Sequence, residues 1–333
     1  MATIAFFDVH EWEKPYLKKK LSSHRCLFFT ESFSQKFLPK LKNVDALSVF
    51  VHSQVPTEDI LQLPKLKLVA LRSTGFDNID VKACADNGIV VCNVPFYGEN
   101  TVAEHTFAML LSISRRIHEA HVRVEKKNFQ TDGLTGFDLK GKTIGVIGGG
   151  HIGMHVVKMA RAFDMKVLVY DIFENTFLKE VLGFEYAKLP QLLQKSDIIT
   201  CHAPYNPHTH HIINEKNISK VKKGAVFLNT ARGPLIDTNV LLKALEDGTF
   251  SYAGLDVLEG EELLTNQSFR NTQKKELQKV YKRNSKICHL KNVLFTPHNA
   301  FNSQEALERI LDTTVQNITT GLRKKYQNVV RVQ

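Results

Sequence analysis

Three ionisable side chains stand directly after apolar, strand-like runs in the second half of this 333-residue chain: Arg232 after VFLNTA, Glu261 after YAGLDVLEG and His298 after VLFTP. Open α/β sheets bind ligands at the C-terminal ends of their strands, so residues placed this way are candidates for one shared site. Arg232 can present a planar fork of donors to a carboxylate, a geometry that Lys cannot reproduce. His298 can titrate near neutral pH and pass a proton to or from a substrate oxygen. Glu261, in contact with His298, would favour the imidazolium and fix which ring nitrogen faces the substrate. Taken singly, each also fits a plainer reading. Arg232 could be a surface charge before the turn Gly233-Pro234, His298 a capped or core histidine, and Glu261 merely one acid beside Glu259 and Glu262.

A second constellation lies upstream, in LKGKTIGVIGGGHIG, Leu139 to Gly153. An apolar run ends in Gly148, Gly150 and Gly153 and leads into a segment, His151 to Phe163, that is compatible with a helix. Gly148 can adopt the angles of a tight turn, Gly150 has no Cβ to keep a pyrophosphate away, and Gly153 lets the helix approach the strand. The free N–H groups of a helix start then face the anion. A further apolar run, Lys166 to Tyr170, ends in Asp171, some twenty residues after the first glycine, where an acid accepts hydrogen bonds from both ribose hydroxyls of NAD. Ile172, Phe173 and Glu174 offer no positive charge to a 2′-phosphate, so NAD is expected rather than NADP. An anion clamp, a proton carrier and an orienting carboxylate beside a nicotinamide describe reversible hydride transfer to a 2-keto acid.

Positioning these groups requires a repeated βα pattern, and the chain has it. Strand-like runs at Ile4–Phe7, Cys26–Phe29, Ala46–Val51, Leu68–Leu71 and Ile89–Cys92 alternate with helix-compatible segments. Asn100–Arg116 reads as a long helix capped by Asn100 and suited to connecting two domains. The rhythm restarts at Gly141, with six strands expected near Thr143, Val167, Ile198, Val226, Tyr252 and Val293. Gly260–Lys291 reads as a largely helical, solvent-facing insertion, and Ser303–Lys324 as a closing helix. Two domains suit the length. No apolar run approaches the roughly 20 residues of a membrane span, and acidic residues come too early in MATIAFFDVHEWEK for a signal peptide. Five scattered cysteines without a CxxC pair fit a reducing cytoplasm. The net charge of +10 gathers at Lys18–Lys20, Lys274–Lys291 and Arg323–Lys325 without any recognisable nucleic-acid module, so no nucleic-acid partner is expected. His202, His208, His210 and His211 crowd CHAPYNPHTHHII without a carboxylate or CxxC at ligand spacing; they are read as exposed, and no metal is expected.

The strings TGFDNID, NVPFYGENTVAEH, GVIGGGHIG, VYDIF, NTARGPLID, GLDVLEGEE and TPHNAF together resemble the D-isomer-specific 2-hydroxyacid dehydrogenases, most closely their D-lactate dehydrogenase branch. The resemblance spans nearly the whole chain. It implies an α/β fold of two doubly wound parallel-sheet domains with a cleft between them: a flavodoxin-like substrate domain from residues 1–99 and 300–333, and a Rossmann NAD-binding domain from residues 100–299. It implies that Arg232 binds the substrate carboxylate and carbonyl, that His298 is the acid/base, and that Glu261, five residues after Asp256 as in the family, is its partner. Backbone around Thr74 and Gly75 and the side chain of Tyr97 would receive the substrate carboxylate, and Phe50 and Phe301 would wall the side-chain pocket. His151, Ile152, Asp171, Ala203, Pro204, Thr209, Thr230 and Ala231 match positions that line NAD, and Asp256 one that contacts the nicotinamide carboxamide.

Two positions depart from the branch: Asn302 stands where an aromatic is usual, and Phe50 where several relatives have Tyr. Both lie near the implied substrate pocket. Pyruvate is the expected substrate, with hydroxypyruvate, phosphoglycerate and phosphite as alternatives; phosphite and phosphoglycerate dehydrogenases keep the Arg, Glu and His set. Glu261 argues against formate dehydrogenases, which pair the histidine with Gln. A non-catalytic NAD-sensing adaptor of the corepressor type retains the same residues and is the alternative from a different class. A homodimer through the NAD-binding domain is implied by the resemblance.

Overall fold

The computed structural model describes residues 1–265 and 274–331; residues 266–273, within the expected Gly260–Lys291 insertion, and 332–333 lie outside the described residues. The chain divides into two compact units, residues 1–98 with 303–333, and residues 99–302.

In the first unit, β1 (Thr3–Phe6), β2 (Arg25–Phe28), β3 (Ala46–Val49), β4 (Leu68–Leu71) and β5 (Val90–Cys92) form a parallel sheet in the order β2-β1-β3-β4-β5. That is the flavodoxin-like order. β3 and β4 are buried at every residue, because a parallel sheet is covered on both faces; β4 is accordingly apolar throughout, and in β3 Ser48 is the one polar side chain. Ile4 and Phe6 pack with Ala46, Leu68 and Ala70 against Leu311 and Ile318, whereas Ala5, Leu47, Val49, Val69 and Leu71 form a separate core on the other face. Leu311 and Ile318 belong to the helix Gln304–Gly321, so both ends of the chain build this unit. Ser303 caps that helix, its Oγ accepting the Ala306 N–H at 3.2 Å.

The second unit holds β6 (Thr143–Ile147), β7 (Lys166–Tyr170), β8 (Glu185–Tyr186), β9 (Ile198–Cys201), β10 (Ala225–Asn229), β11 (Phe250–Leu255) and β12 (Val293–Phe295). They pair in parallel in the order β12-β11-β10-β9-β6-β7-β8, the Rossmann arrangement with one further strand. Seven strands replace the six expected: β8 is a two-residue edge strand, too short to leave a periodic signal. The helix Glu99–Ser114 starts one residue earlier than expected, and Asn100 lies inside it, donating to Glu104 Oε1 at 3.0 Å instead of capping. It is also no free connector. It packs on the helix His151–Ala162 and on β10 and β11, burying Val102, Ala103, Phe107, Leu110 and Ile113. Within the insertion, the helix Lys275–Cys288 is not wholly solvent-facing, for Asn284 and Ile287 are buried. Among the described residues, no helix is long and apolar enough to cross a membrane.

Candidate active site

The strand order of the second unit reverses between β6 and β9, and the glycine loop lies at the C-terminal end of β6 at this switch point. Gly148 has φ of 101°, and a Cβ there would stand 2.4 Å from the backbone nitrogen of Ala203, in the loop after β9. A Cβ on Gly153 would stand 2.0 Å from the Gly148 carbonyl oxygen, which is the close approach of helix to loop read from its spacing. Gly150 faces open space, and no side chain caps the helix that begins at His151. The loop therefore offers an anion an uncluttered helix start. Asp171 closes the loop from the end of β7: its Oδ2 accepts the Gly149 N–H at 2.6 Å and its Oδ1 the Phe173 N–H at 2.9 Å. Each oxygen keeps a lone pair for a hydroxyl donor. No cation follows it, and Ile172 and Phe173 are both 80% exposed. These features fit a dinucleotide with a free 2′-hydroxyl.

Around this loop, His151 is exposed, Ile152 and Ala231 are half-buried, and Ala203 is buried. Thr209 Oγ1 donates to the Pro204 carbonyl at 2.7 Å, holding the loop after β9. Thr230 Oγ1 meets Thr106 Oγ1 at 2.8 Å.

Arg232, Glu261 and His298 follow three adjacent strands, β10, β11 and β12, and the loops that carry them are laced together. Asp256 N–H donates to the Asn229 carbonyl and His298 N–H to the Asp256 carbonyl, both at 2.9 Å. The Asn229 side chain shapes the turn before Arg232, donating to the Arg232 carbonyl at 2.9 Å and accepting the Ala231 N–H at 3.0 Å. Gly233 lets this turn press on the next loop, since a Cβ there would come within 2.2 Å of Glu259 N. Arg232 Nη1 donates to the Ala231 carbonyl at 2.8 Å. His298 has φ of 51°, an unusual angle for a residue with a side chain and one that persists only where the surroundings enforce it. Its Nδ1 lies 2.6 Å from Glu261 Oε1, while Glu261 Oε2 accepts the Leu258 N–H at 2.8 Å. A carboxylate only accepts, so Nδ1 is the protonated nitrogen of this pair and Nε2 is left outside it.

Asp256 is fully buried and does more than its motif suggested. Its Oδ1 accepts Thr296 Oγ1 at 2.5 Å and Asn299 N–H at 2.7 Å, and its Oδ2 accepts Ala300 N–H at 2.8 Å, so it ties down the loop that carries His298. His105, from the helix Glu99–Ser114, reaches Thr296 Oγ1 at 3.2 Å. The sequence reading missed Asn229, Gly233, Thr296 and His105 as supports, although all four lie within or beside its motifs. Phe301 belongs to this unit and is half-buried.

The remaining expected residues lie in the first unit, at the C-terminal ends of β3, β4 and β5. Phe50 is buried, with its N–H 3.3 Å from Asp8 Oδ2, its carbonyl accepting Asn78 Nδ2 at 3.2 Å, and the Arg72 guanidinium 5.5 Å from its ring centroid. Arg72 is itself buried, paired with Glu13 at 3.1 Å and donating to the carbonyls of Phe7 and Asp8. Thr74 Oγ1 donates to the Val94 carbonyl at 2.9 Å, Ser73 Oγ to the Gly75 carbonyl at 2.7 Å, and Asn93 Nδ2 to the Thr74 carbonyl at 2.8 Å. The Tyr97 carbonyl accepts Arg309 Nε at 2.6 Å.

The histidine cluster is not uniformly exposed. His202 is buried, its Nε2 is 2.8 Å from Thr200 Oγ1, and burial pushes its pKa down to about 3, so it is neutral across the physiological range. His210 and His211 stack with ring centroids 3.8 Å apart.

Residues 107–300 match the family model described as D-isomer specific 2-hydroxyacid dehydrogenase, NAD binding domain. The chain is 39% identical to 2-hydroxyacid dehydrogenase homolog 1 of Schizosaccharomyces pombe and 36% identical to D-lactate dehydrogenase of Escherichia coli, each comparison covering 95% of both chains. The structure of D-lactate dehydrogenase from Aquifex aeolicus, complexed with NAD and lactic acid, superposes with a TM-score of 0.88 at 37% identity, over 97% of this chain and 96% of that one. With a parallel sheet in each unit, a glycine loop closed by Asp171 and three candidate side chains after adjacent strands, the chain belongs to the D-isomer specific 2-hydroxyacid dehydrogenase family and is an NAD-dependent enzyme of it.

Proposed function

We propose that this protein reduces a small 2-keto acid, pyruvate foremost, to the D-2-hydroxy acid, and catalyses the reverse reaction. The observation that carries the reading is the His298–Glu261 pair, 2.6 Å long and pinned by the Leu258 N–H. Bound NADH supplies the hydride to the carbonyl carbon. His298 gives the carbonyl oxygen a proton from Nε2, and takes one back in the oxidative direction. Glu261 holds Nδ1 and stabilises the imidazolium. Arg232 offers its guanidinium fork to the substrate carboxylate and carbonyl. We assign the backbone at Thr74 and Gly75, and Tyr97, to the same carboxylate, and Phe50 and Phe301 to the substrate side chain. Gly150, His151 and Ile152 receive the pyrophosphate of NAD on a turn that Gly148 and Gly153 shape, and Asp171 receives its adenosine ribose. Ala203, Pro204, Thr209, Thr230, Ala231 and Asp256 complete the cofactor's surroundings.

Support for a small keto acid comes from the D-lactate dehydrogenases, a glyoxylate reductase of Thermococcus litoralis and a pyruvate reductase of Chlamydomonas reinhardtii, whereas an aromatic 2-oxoacid reductase of Clostridium sporogenes, 36% identical, stands for a larger one. We also place the homodimer contact in the NAD-binding unit. There the helix Ile117–Glu125 buries none of its residues, and Ile117, Val124 and Phe129 are exposed. The free thiols of all five cysteines suit a reducing compartment, the cytoplasm.

Replacing His298 with Gln tests the assignment. Removing only proton transfer lowers turnover about 10²–10⁴-fold, while NADH binding, followed by fluorescence titration, stays at its wild-type value. Wild-type turnover in this variant would reject His298 as the acid/base.

A further inference from the structure

The loop that carries Glu261 needs bracing from outside itself. Gly260, immediately before it, has φ of 78°, and a Cβ there would lie 2.9 Å from Val280 Cγ1 in the helix Lys275–Cys288. One face of the loop rests on the turn after Arg232, through the close approach of Gly233 to Glu259 N. The other is held by Asn284, whose Nδ2 donates to the Glu259 carbonyl at 2.8 Å. Asn284 has no exposed surface. Burying an amide is costly unless both of its ends are bonded, and here both are: Oδ1 accepts Arg283 Nε at 3.2 Å. Arg283 in turn reaches Asn239 Oδ1 at 3.3 Å, in the helix that follows the Arg232 turn. A lysine-rich helix that needed only to cover the sheet would bury an apolar residue at this position. It buries an amide aimed at the loop of Glu261 instead.

We propose that Asn284 is a positioning residue for the reaction: through the Glu259 carbonyl it sets where the Glu261 carboxylate meets His298. The proposal rests on the roles assigned to Glu261 and His298 above. It gives part of the Lys-rich insertion a function that composition alone hides.

Asn284→Leu removes the donor at similar volume. Asn284→Asp keeps the shape and still serves Arg283, but sets a carboxylate oxygen against the Glu259 carbonyl. The melting temperature, the NADH dissociation constant, kcat and the KM for pyruvate are measured for both, in the wild-type and the Glu261→Gln backgrounds. The expected result is a roughly tenfold loss of kcat in each single variant, with NADH binding unchanged. In the Glu261→Gln background, the same substitution changes kcat by less than about twofold, because the carboxylate it positions is gone. Wild-type kcat despite a lowered melting temperature overturns the proposal, as does an equal loss in both backgrounds. Should Asn284→Leu fail to fold, Asn284→Asp decides by the same criteria. Wild-type kcat in Glu261→Gln itself would overturn the reading of Glu261 and the proposal with it, whereas a loss there with none in the Asn284 variants overturns the bracing alone.

Discussion

Replacing Glu261 with Gln changes almost nothing in shape, yet the structure gives it a definite cost. Both carboxylate oxygens accept hydrogen bonds, Oε2 from the Leu258 N–H at 2.8 Å and Oε1 from His298 Nδ1 at 2.6 Å. An amide has one accepting oxygen, so Gln must turn its NH2 group against one of the two donors. A donor left unmet in the interior costs about 1–3 kcal/mol. The side chains of His298 and Glu261 are 26% and 29% exposed, so water recovers part of this and roughly 1–2 kcal/mol remains. If that loss falls on the orientation of the imidazole in the transition state, kcat drops roughly five- to thirtyfold. Steady-state loss of NADH absorbance at saturating pyruvate reads it directly, with the KM for NADH as the internal control. A kcat within about twofold of wild type, or a loss confined to the KM for NADH, would refute the reasoning.

Three further substitutions probe other parts of the account. Asp171→Ala removes the acceptor for the Gly149 and Phe173 N–H groups as well as for the ribose, so the KM for NADH should rise roughly ten- to hundredfold and the preference for NADH over NADPH should shrink; an unchanged preference would contradict the role given to Asp171. Arg232→Lys should raise the KM for the keto acid while the KM for NADH holds, because the planar fork is lost; an unaltered keto-acid KM would remove Arg232 from carboxylate binding. His202 makes the fold acid-sensitive. Below about pH 6.5 the unfolded chain takes up a proton that the folded chain refuses until about pH 3, so stability falls as pH drops through that window, by roughly 2 kcal/mol at pH 5. The melting temperature of His202→Asn should therefore fall less than that of wild type between about pH 7 and about pH 5, and equal falls would contradict it.

Much of the chemistry was legible because it is local in sequence. The glycine loop, Asp171 at the end of β7 and the three strand ends that carry Arg232, Glu261 and His298 all rest on short-range spacing within βα units. Burial on both faces of the sheet keeps a strand such as β4 continuously apolar, and so easy to recognise. What was missed depends on contacts between distant residues or on elements too short to have a period. β8 has two residues and no pattern. Arg72 and Glu13, 59 positions apart, form a buried pair beneath the loops of Phe50 and Thr74, which no spacing rule connects. Asn100 resembled a cap because its residue type favours that position, but the helix starts a residue earlier and its side chain turns to Glu104. His202 reads like its exposed neighbours although it directly follows β9 and is buried, and Asn284 is lost among lysines whose abundance suggests a wholly solvated helix.

The most direct test of the central claim is the product formed from pyruvate and NADH by the purified full-length protein, identified by chiral chromatography, with glyoxylate, hydroxypyruvate, phenylpyruvate and longer 2-keto acids run in parallel. The expected result is NADH-dependent reduction with pyruvate among the best substrates and D-lactate as its product. Formation of L-lactate, or no turnover of any of these 2-keto acids, would contradict it.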